Sequence, residues 1–474
     1  MIIKKFISLK SVIQFFAYFS AFVFFFVSLI KLDLSITFLN VLFIFLSLFF
    51  LKMILKFLSS SYVAIFFSIY FVVGFYLKTS LIIWDPSPDI WFFMRTLGEF
   101  DLSFESFFHL YSIIITSTLG ILCAFYLSKC NQDINIEDTL YDYFKLSGYK
   151  KFPFLTVLIW ALFCILLLWF TTKYGIGRHG LKNEIELPNF IAGFLNYSKV
   201  FMIIGLGLIL YDLKVKNCKK NLQIFYFIIF LILLFFQSYL SLSRSFFIIG
   251  ASPIILLFIF YNQSKVHSNG KVNPKIFLII FIILLIFGVY AEFSNLNRRQ
   301  LYLSSEQLND ADVIIDLFSS FSNFLNLIIN RIEGSRELMV LLDYPSKNFS
   351  NYFLSISGYG GGYDVNGELY SISKMADDKV AFGITLGFFA QSFLSGSYII
   401  CFLHSLIYFF IIIKIEIFFK KRGLYLFSTW LSFYLFILIW GNLTFFHGIR
   451  ILFMIVLMYI FTLILKSKVR FENI

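Results

Sequence analysis

Arginine, histidine and acidic side chains recur at a few short stations along an otherwise apolar chain. Arg178 and His179 form the centre of the run GIGRHG, Arg244 sits in SLSRS, and Arg298 and Arg299 are adjacent. Arg331, Glu333 and Arg336 share the stretch NRIEGSREL, and His447 and Arg450 stand three residues apart in HGIR. A guanidinium is a planar fork of paired donors that matches phosphate oxygens two at a time. An imidazole or a carboxylate nearby can take a proton. Together these groups suit a reaction in which negative charge grows on a phosphate leaving group while a hydroxyl is deprotonated. Arg178, Arg244, Arg298, Arg299, Arg331, Arg336 and Arg450 are the anion-binding candidates, and His179, His447 and Glu333 the candidate bases.

Each station also has a duller reading. The SLSRS connection is too short to be a flexible loop and joins two apolar runs in a tight hairpin, so Arg244 faces either lipid headgroups or a cavity at the membrane rim. The glycines around Arg178 and His179 would let the backbone approach a ligand, whereas an ordinary loop arginine is solvated. Arg298 and Arg299 follow directly on an apolar run, where such pairs also anchor to headgroups. Five-residue spacing puts Arg331 and Arg336 about 140° apart on a continuous helix, so they share one anion only if Gly334 breaks it. The alternative is an i,i+3 ion pair between Glu333 and Arg336. His447 and Arg450 would lie on one helix face, either as base and clamp or as an interfacial pair with a capping histidine. His109 and His404 read as span residues and His267 as a loop residue.

The elements that must position these stations are set by composition. The chain has 474 residues, 59% hydrophobic and only 14% charged, with 68 phenylalanines. Soluble domains run at about half apolar and about a quarter charged. The mean hydropathy of +0.85 exceeds what a soluble interior can absorb, whereas a bilayer solvates the outside of every helix. Apolar runs long enough to cross a bilayer fall near 11–30, 34–51, 60–77, 107–127, 153–171, 189–210, 222–241, 246–261, 276–292, 388–412, 424–441 and 450–466. The expected fold is therefore all-α and polytopic, with about twelve spans. Residues 1–292 hold nine of them with short loops, 293–387 form one large outer loop, and 388–474 hold the last three spans and a tail. The first run follows Lys4, Lys5 and Lys10, lacks a small-residue cleavage site and is read as a retained helix.

An even span count puts both termini on one side, and the basic start together with Lys466, Lys468 and Arg470 argues that this side is the cytoplasm. The loops on that side are lysine-rich, including Lys52, Lys56, Lys214, Lys216, Lys219, Lys220, Lys414, Lys420 and Lys421. The opposite side holds Arg95 and the arginine stations, while Lys199 falls inside a span. The net charge of +12 is thus read as topology, not as a nucleic-acid footprint. In the large loop, Ile314, Leu317, Phe318, Phe321, Phe324, Leu325 and Ile328 recur at helical spacing, which fits an interfacial amphipathic helix or one packed on the span tops. The run from Ser357 to Tyr370 is a turn-rich loop and lacks the terminal Lys-Ser/Thr of a P-loop.

Cys123, Cys130, Cys164, Cys218 and Cys401 show no disulfide or metal spacing. The outer acids Asp364, Glu368, Asp377 and Asp378 are scattered, so no metal and no cofactor is expected. No inner loop is long enough to fold around a nucleotide sugar, which disfavours cytosolic nucleotide donors and ATP-driven pumping.

This architecture resembles the Wzy-type polymerases of bacterial O-antigen and related oligosaccharide repeat units. The resemblance spans the full length and rests on the twelve runs, the long outer loop between the ninth and tenth, and a smaller outer loop carrying Arg178. SLSRS and NRIEGSREL are similar in style to that family, but the arginine repeats with glycine eleven residues on do not fit Arg178, Arg331 or Arg336. The resemblance implies an enzyme of the inner membrane, a GT-C-like glycosyltransferase that moves a growing chain from undecaprenyl pyrophosphate onto the next lipid-linked repeat unit on the periplasmic face. It implies lipid-linked oligosaccharides and the bilayer as partners, with a chain-length regulator a further possibility and no nucleic acid. Arg178 and Arg244, helped by Arg298, Arg331 or Arg336, would clamp the pyrophosphate. An O-antigen ligase shares that donor and stays open as an alternative. So does a lipid-linked oligosaccharide flippase, although no internal repeat is evident.

Overall fold

The computed structural model describes residues 9–58, 60–86, 100–128, 153–176, 189–241, 250, 334–342, 346–357, 387–440 and 445–471. The described residues form helices and turns only, and nine of the helices are long and apolar enough to cross a membrane. The described residues are all-helical, and the chain is a multi-pass membrane protein. Where no water reaches the backbone, its N–H and C=O groups must be satisfied within the segment, and a helix does this for any apolar sequence.

In chain order the helices are α1 (Leu9–Lys31), α2 (Leu34–Ile54), α3 (Tyr62–Trp84), α4 (Phe104–Leu127) and α5 (Phe154–Lys173). Helix α6 begins with Asn189–Val200 and continues through Phe201–Gly205, Leu206–Leu210 and Tyr211–Val215. Then come α7 (Lys220–Leu240), the short α8 (Ser335–Leu342), α9 (Phe349–Ser357) and α10 (Phe388–Phe393), and finally α11 (Tyr398–Lys420), α12 (Tyr425–Trp440) and α13 (Phe445–Phe471). Prolines punctuate this order: Pro153 precedes the first turn of α5, and Asp85, before Pro86, is extended and ends α3. Helices α3 and α6 are central and buried along most of their length, whereas α1 turns Phe15, Phe16, Phe19 and Phe22 outward, as a lipid-facing helix must.

Both ends of the described chain lie at one end of the bundle. Asn40 and Thr37 at the start of α2 bond to Ser28 at the end of α1, closing a hairpin. Phe57 just after α2 stacks on Phe125 at the end of α4, and Lys414 of α11 reaches Ser128 O beside it. Lys466 of α13 in turn donates to Arg422 O after α11. Helices α4 and α11 run parallel and so close that a Cβ on Gly120 would stand 2.4 Å from Phe402 O. At their other end His109 Nδ1 meets the Tyr398 hydroxyl at 2.5 Å.

Two buried acids fasten this basic end. The first N–H groups of a helix lack intrahelical acceptors and attract negative charge. Glu416 of α11 accepts from Tyr62 N at 2.8 Å and Val63 N at 3.3 Å, capping α3 from a different helix. Its charge is matched by Lys420, one turn on, which donates to Ser60 O at 2.9 Å and lies over the Tyr62 ring. Asp212 of α6 does the same for α12, accepting from Phe427 N at 3.1 Å and Leu426 N at 3.4 Å. Arg422, stacked on Phe418, lies at this end too.

Four expected spans come out differently or lie almost wholly outside the described residues. The apolar run 388–412 is two helices, because Ser395, Gly396 and Ser397 turn the chain: Gly396 takes φ +70°, and Ser397 N bonds to Ser395 Oγ. Helix α11 then continues to Lys420. The third span runs past residue 77 to Trp84 through a π-helical stretch at Val72–Leu77, burying Lys78 and Thr79. The expected runs 246–261 (apart from Gly250) and 276–292 and the amphipathic run at 314–328 lie outside the described residues. So does most of the loop 293–387.

Candidate functional site

Lysine inside a span must find acceptors, because its ammonium leaves water at high cost. Lys199 on α6 is buried, and its Nζ donates to Ile176 O at 2.9 Å and to Ser241 Oγ at 3.4 Å. Ile176 lies just after α5, in a turn where Gly175 takes φ +65° and Ile176 N bonds back to Thr171 O. Ser241 caps the end of α7. One ammonium therefore ties together the ends of two spans from a third. The site lies toward the end of the bundle opposite the termini, because Lys199 precedes Asp212 of the basic end by thirteen residues, about 20 Å of helix.

Neighbouring side chains extend this polar station. Gln237, one turn before Ser241 on the same face of α7, is fully buried, and neither its Nε2 nor its Oε1 has a hydrogen-bond partner among the described residues. Asn196, one turn before Lys199, has a buried Oδ1 with no partner among the described residues. Arg450, half-buried in the first turns of α13, lies one turn before Phe453, whose ring meets Phe194 of α6 at 5.8 Å. The arginine is thus carried on a helix that packs beside the Lys199 segment.

Below the station, α5 and α7 part to leave a groove of about 580 Å³ lined by Ile165, Leu168, Trp169, Thr172, Lys173, Ile232, Leu233, Phe236 and Leu240. The walls are almost wholly apolar and open sideways, since Ile165, Trp169, Ile232 and Phe236 are all exposed. Lys173 stands at the upper rim, its ammonium 5.2 Å from the centre of the Trp169 ring. The polar atoms of Thr172 and Lys173 mark the end that faces Ile176 and Ser241.

A second station gathers around α8. Helix α8 starts at Ser335, so Gly334 precedes its first turn and does not lie within it. A Cβ on Gly334 would stand 2.1 Å from Gly74 O, in the π-helical stretch of α3. Ser335 Oγ bonds to Thr79 Oγ1 at 2.5 Å and to Gly74 O at 3.3 Å. The buried faces of Leu338, Met339 and Leu341 seat α8 in the bundle, so Arg336 is carried on a helix inserted among spans. His404 of α11 shares its Nδ1 with the Tyr352 hydroxyl at 2.9 Å among Phe388 and Tyr408, while its buried Nε2 has no partner among the described residues. Burial pushes the Tyr352 phenol well above its ordinary range.

Of the sequence-derived candidates, Arg178, His179, Arg244, Arg298, Arg299, Arg331 and Glu333 lie outside the described residues. Arg336 and His447 lie on helices described by their backbone, and α13 holds His447 and Arg450 on one continuous helix, three residues apart. Lys199 and Gln237 were not among the candidates. Their signal was present in the sequence as a lysine and a glutamine inside apolar runs. Among the described residues, no three His, Cys, Asp or Glu side chains gather as a metal site.

Compared with family models, curated proteins and solved structures, the chain matches none. What the fold defines is a class: a multi-pass helical membrane protein with buried cationic and amide groups near the end of the bundle opposite its termini.

Proposed function

We propose that this protein is a glycosyltransferase of the bacterial cytoplasmic membrane that polymerises undecaprenyl-pyrophosphate-linked oligosaccharide units on the periplasmic face. The observation that carries the reading is the bridge made by Lys199 between Ile176 and Ser241. These residues are the roots of the two connections that bear Arg178 and Arg244. Arg178 follows Ile176 by two positions in the sequence, and Arg244 follows Ser241 by three. Two guanidiniums this near in sequence to the partners of a buried ammonium suit a diphosphate whose charge grows as the glycosidic bond breaks. The acceptor hydroxyl loses its proton to His179, His447 or Glu333. The energy resides in the lipid donor, so no nucleotide enters the cycle.

The lysine-rich end carrying both termini is the cytoplasmic one in this reading. A reporter fused at Gly360 then reads outside and one fused at Lys219 reads inside. The function is tested by the surface polysaccharide of a deletion strain. Lipid A core bearing single repeat units supports a polymerase; unmodified core with accumulated long lipid-linked polymer identifies a ligase instead. Loss of all lipid-linked units from the periplasmic face identifies a flippase.

A further inference from the structure

We infer that the groove between α5 and α7 is the seat of a single-chain lipid phosphate, with its hydrocarbon in the groove and its head against Lys199 and Gln237. The walls can hold hydrocarbon: Ile165, Leu168, Trp169, Ile232, Leu233, Phe236 and Leu240 present almost no polar surface. The groove is open on its bilayer side, so a chain enters laterally without crossing water. It does not end blindly. Its two walls rise to Ile176 and Ser241, the residues that Lys199 holds together.

Gln237 is the observation that points to a ligand. Buried amides in native proteins are almost always hydrogen-bonded, because an unsatisfied one keeps its full desolvation cost. Here both ends of one amide, one turn from the groove residues Leu233 and Leu240, lack a partner among the described residues. Helical spacing sets Gln237 on the same side of α7 as the groove residues Leu233 and Leu240 and the cap Ser241. A phosphate ester accepts from Nε2 and from an ammonium, and a hydroxyl on an attached sugar donates to Oε1. An apolar channel with donors gathered at one end is complementary to an amphiphile carrying a single anionic head. The choice of a polyprenyl chain over other hydrocarbon rests on the function proposed above.

The test uses the full chain in nanodiscs of phosphatidylethanolamine and phosphatidylglycerol, with a benzophenone amino acid in place of the exposed groove residue Ile232. Radiolabelled undecaprenyl phosphate is the probe. Saturable crosslinking is expected, and undecaprenol without its phosphate is expected to label about tenfold less, the scale of one charge-assisted hydrogen bond. Lys199→Met and Gln237→Leu should each lower the yield of the phosphate probe, while Lys199→Arg keeps most of it. Leu233→Trp fills the groove without touching the Lys199 bonds, and it should abolish labelling in protein that remains folded. Equal labelling by undecaprenol, equal competition by the two-chain phosphatidic acid, or a yield indifferent to Leu233→Trp overturns the assignment. Failed crosslinking alongside lost polymer in the deletion strain removes the groove and leaves the proposed function. Specific crosslinking alongside normal polymer removes the function and leaves the groove.

Discussion

Lys199 Nζ donates to the carbonyl of Ile176 at 2.9 Å from within a membrane span. The bond spends a buried cation on fixing the end of α5 to α6, and through Ser241 it fixes the end of α7 as well. Replacing the lysine by methionine strips a carbonyl and a hydroxyl of a donor, and the ends of α5 and α7 separate. The Lys199→Met protein is expected to insert normally and to lose at least about tenfold in polymer-forming activity, with Lys199→Arg retaining more. Membrane-fraction immunoblotting beside gel profiles of the polysaccharide checks this, and unchanged profiles would count against the role.

Glu416 and Lys420 make a prediction about folding alone. With both side chains buried, removing one leaves the other charged, desolvated and unpaired, which costs about 3–5 kcal/mol. Glu416→Ala also strips the α3 N-terminus of its acceptor for Tyr62 N and Val63 N. Thermal unfolding in detergent should show each single variant strongly destabilised. Glu416→Gln with Lys420→Met should recover much of the loss, and strictly additive losses would contradict a coupled pair.

Gly334 meets the backbone of Gly74, not a flexible side chain. Gly334→Ala therefore has no rotamer to yield and must push α8 away from α3, breaking the bond of Ser335 to Gly74 O. Proteolysis of the variant should cut near residues 334–342 faster than in the wild type. An unaltered rate would mean that α8 does not depend on that contact.

Asp101 gives a pH dependence at the entry to α4. Hydrogen bonds from Ser103, then from Ser106, hold its carboxyl below the ordinary carboxylate range, against a small opposing effect of burial. The stabilisation is thus present above the unfolded value of about 3.9 and is lost as pH falls through the lower folded value. Since Asp101 is exposed, the effect is local. Amide exchange at Ser103 and Ser106, corrected for intrinsic rates, should accelerate only on acidification below that range, and Asp101→Asn should remove the pH dependence.

Legibility in the sequence divides along physical lines. The spans were readable because about 20 apolar residues have one stable form in a bilayer, and α1, α2, α4, α5 and α7 fall close to their expected runs. The break at Gly396 was less readable, since Ser-Gly-Ser interrupts hydropathy hardly at all and acts through φ. The extension of α3 was hidden because Lys78 resembles a span end by composition, yet it is buried by neighbours distant in sequence. Rim arginines were conspicuous as charges between apolar runs. Lys199 and Gln237 were not, because their meaning depends on which helices pack together, and periodicity along one helix does not carry that.

The most direct measurement of the central claim is chain length made by Arg244 variants. Purified protein in nanodiscs with undecaprenyl-pyrophosphate-linked repeat units should form long polymer. Arg244→Ala is predicted to fold and form none, and Arg244→Lys to form little, because a point charge does not replace a bidentate fork. Wild-type chain lengths from Arg244→Ala would contradict the diphosphate clamp.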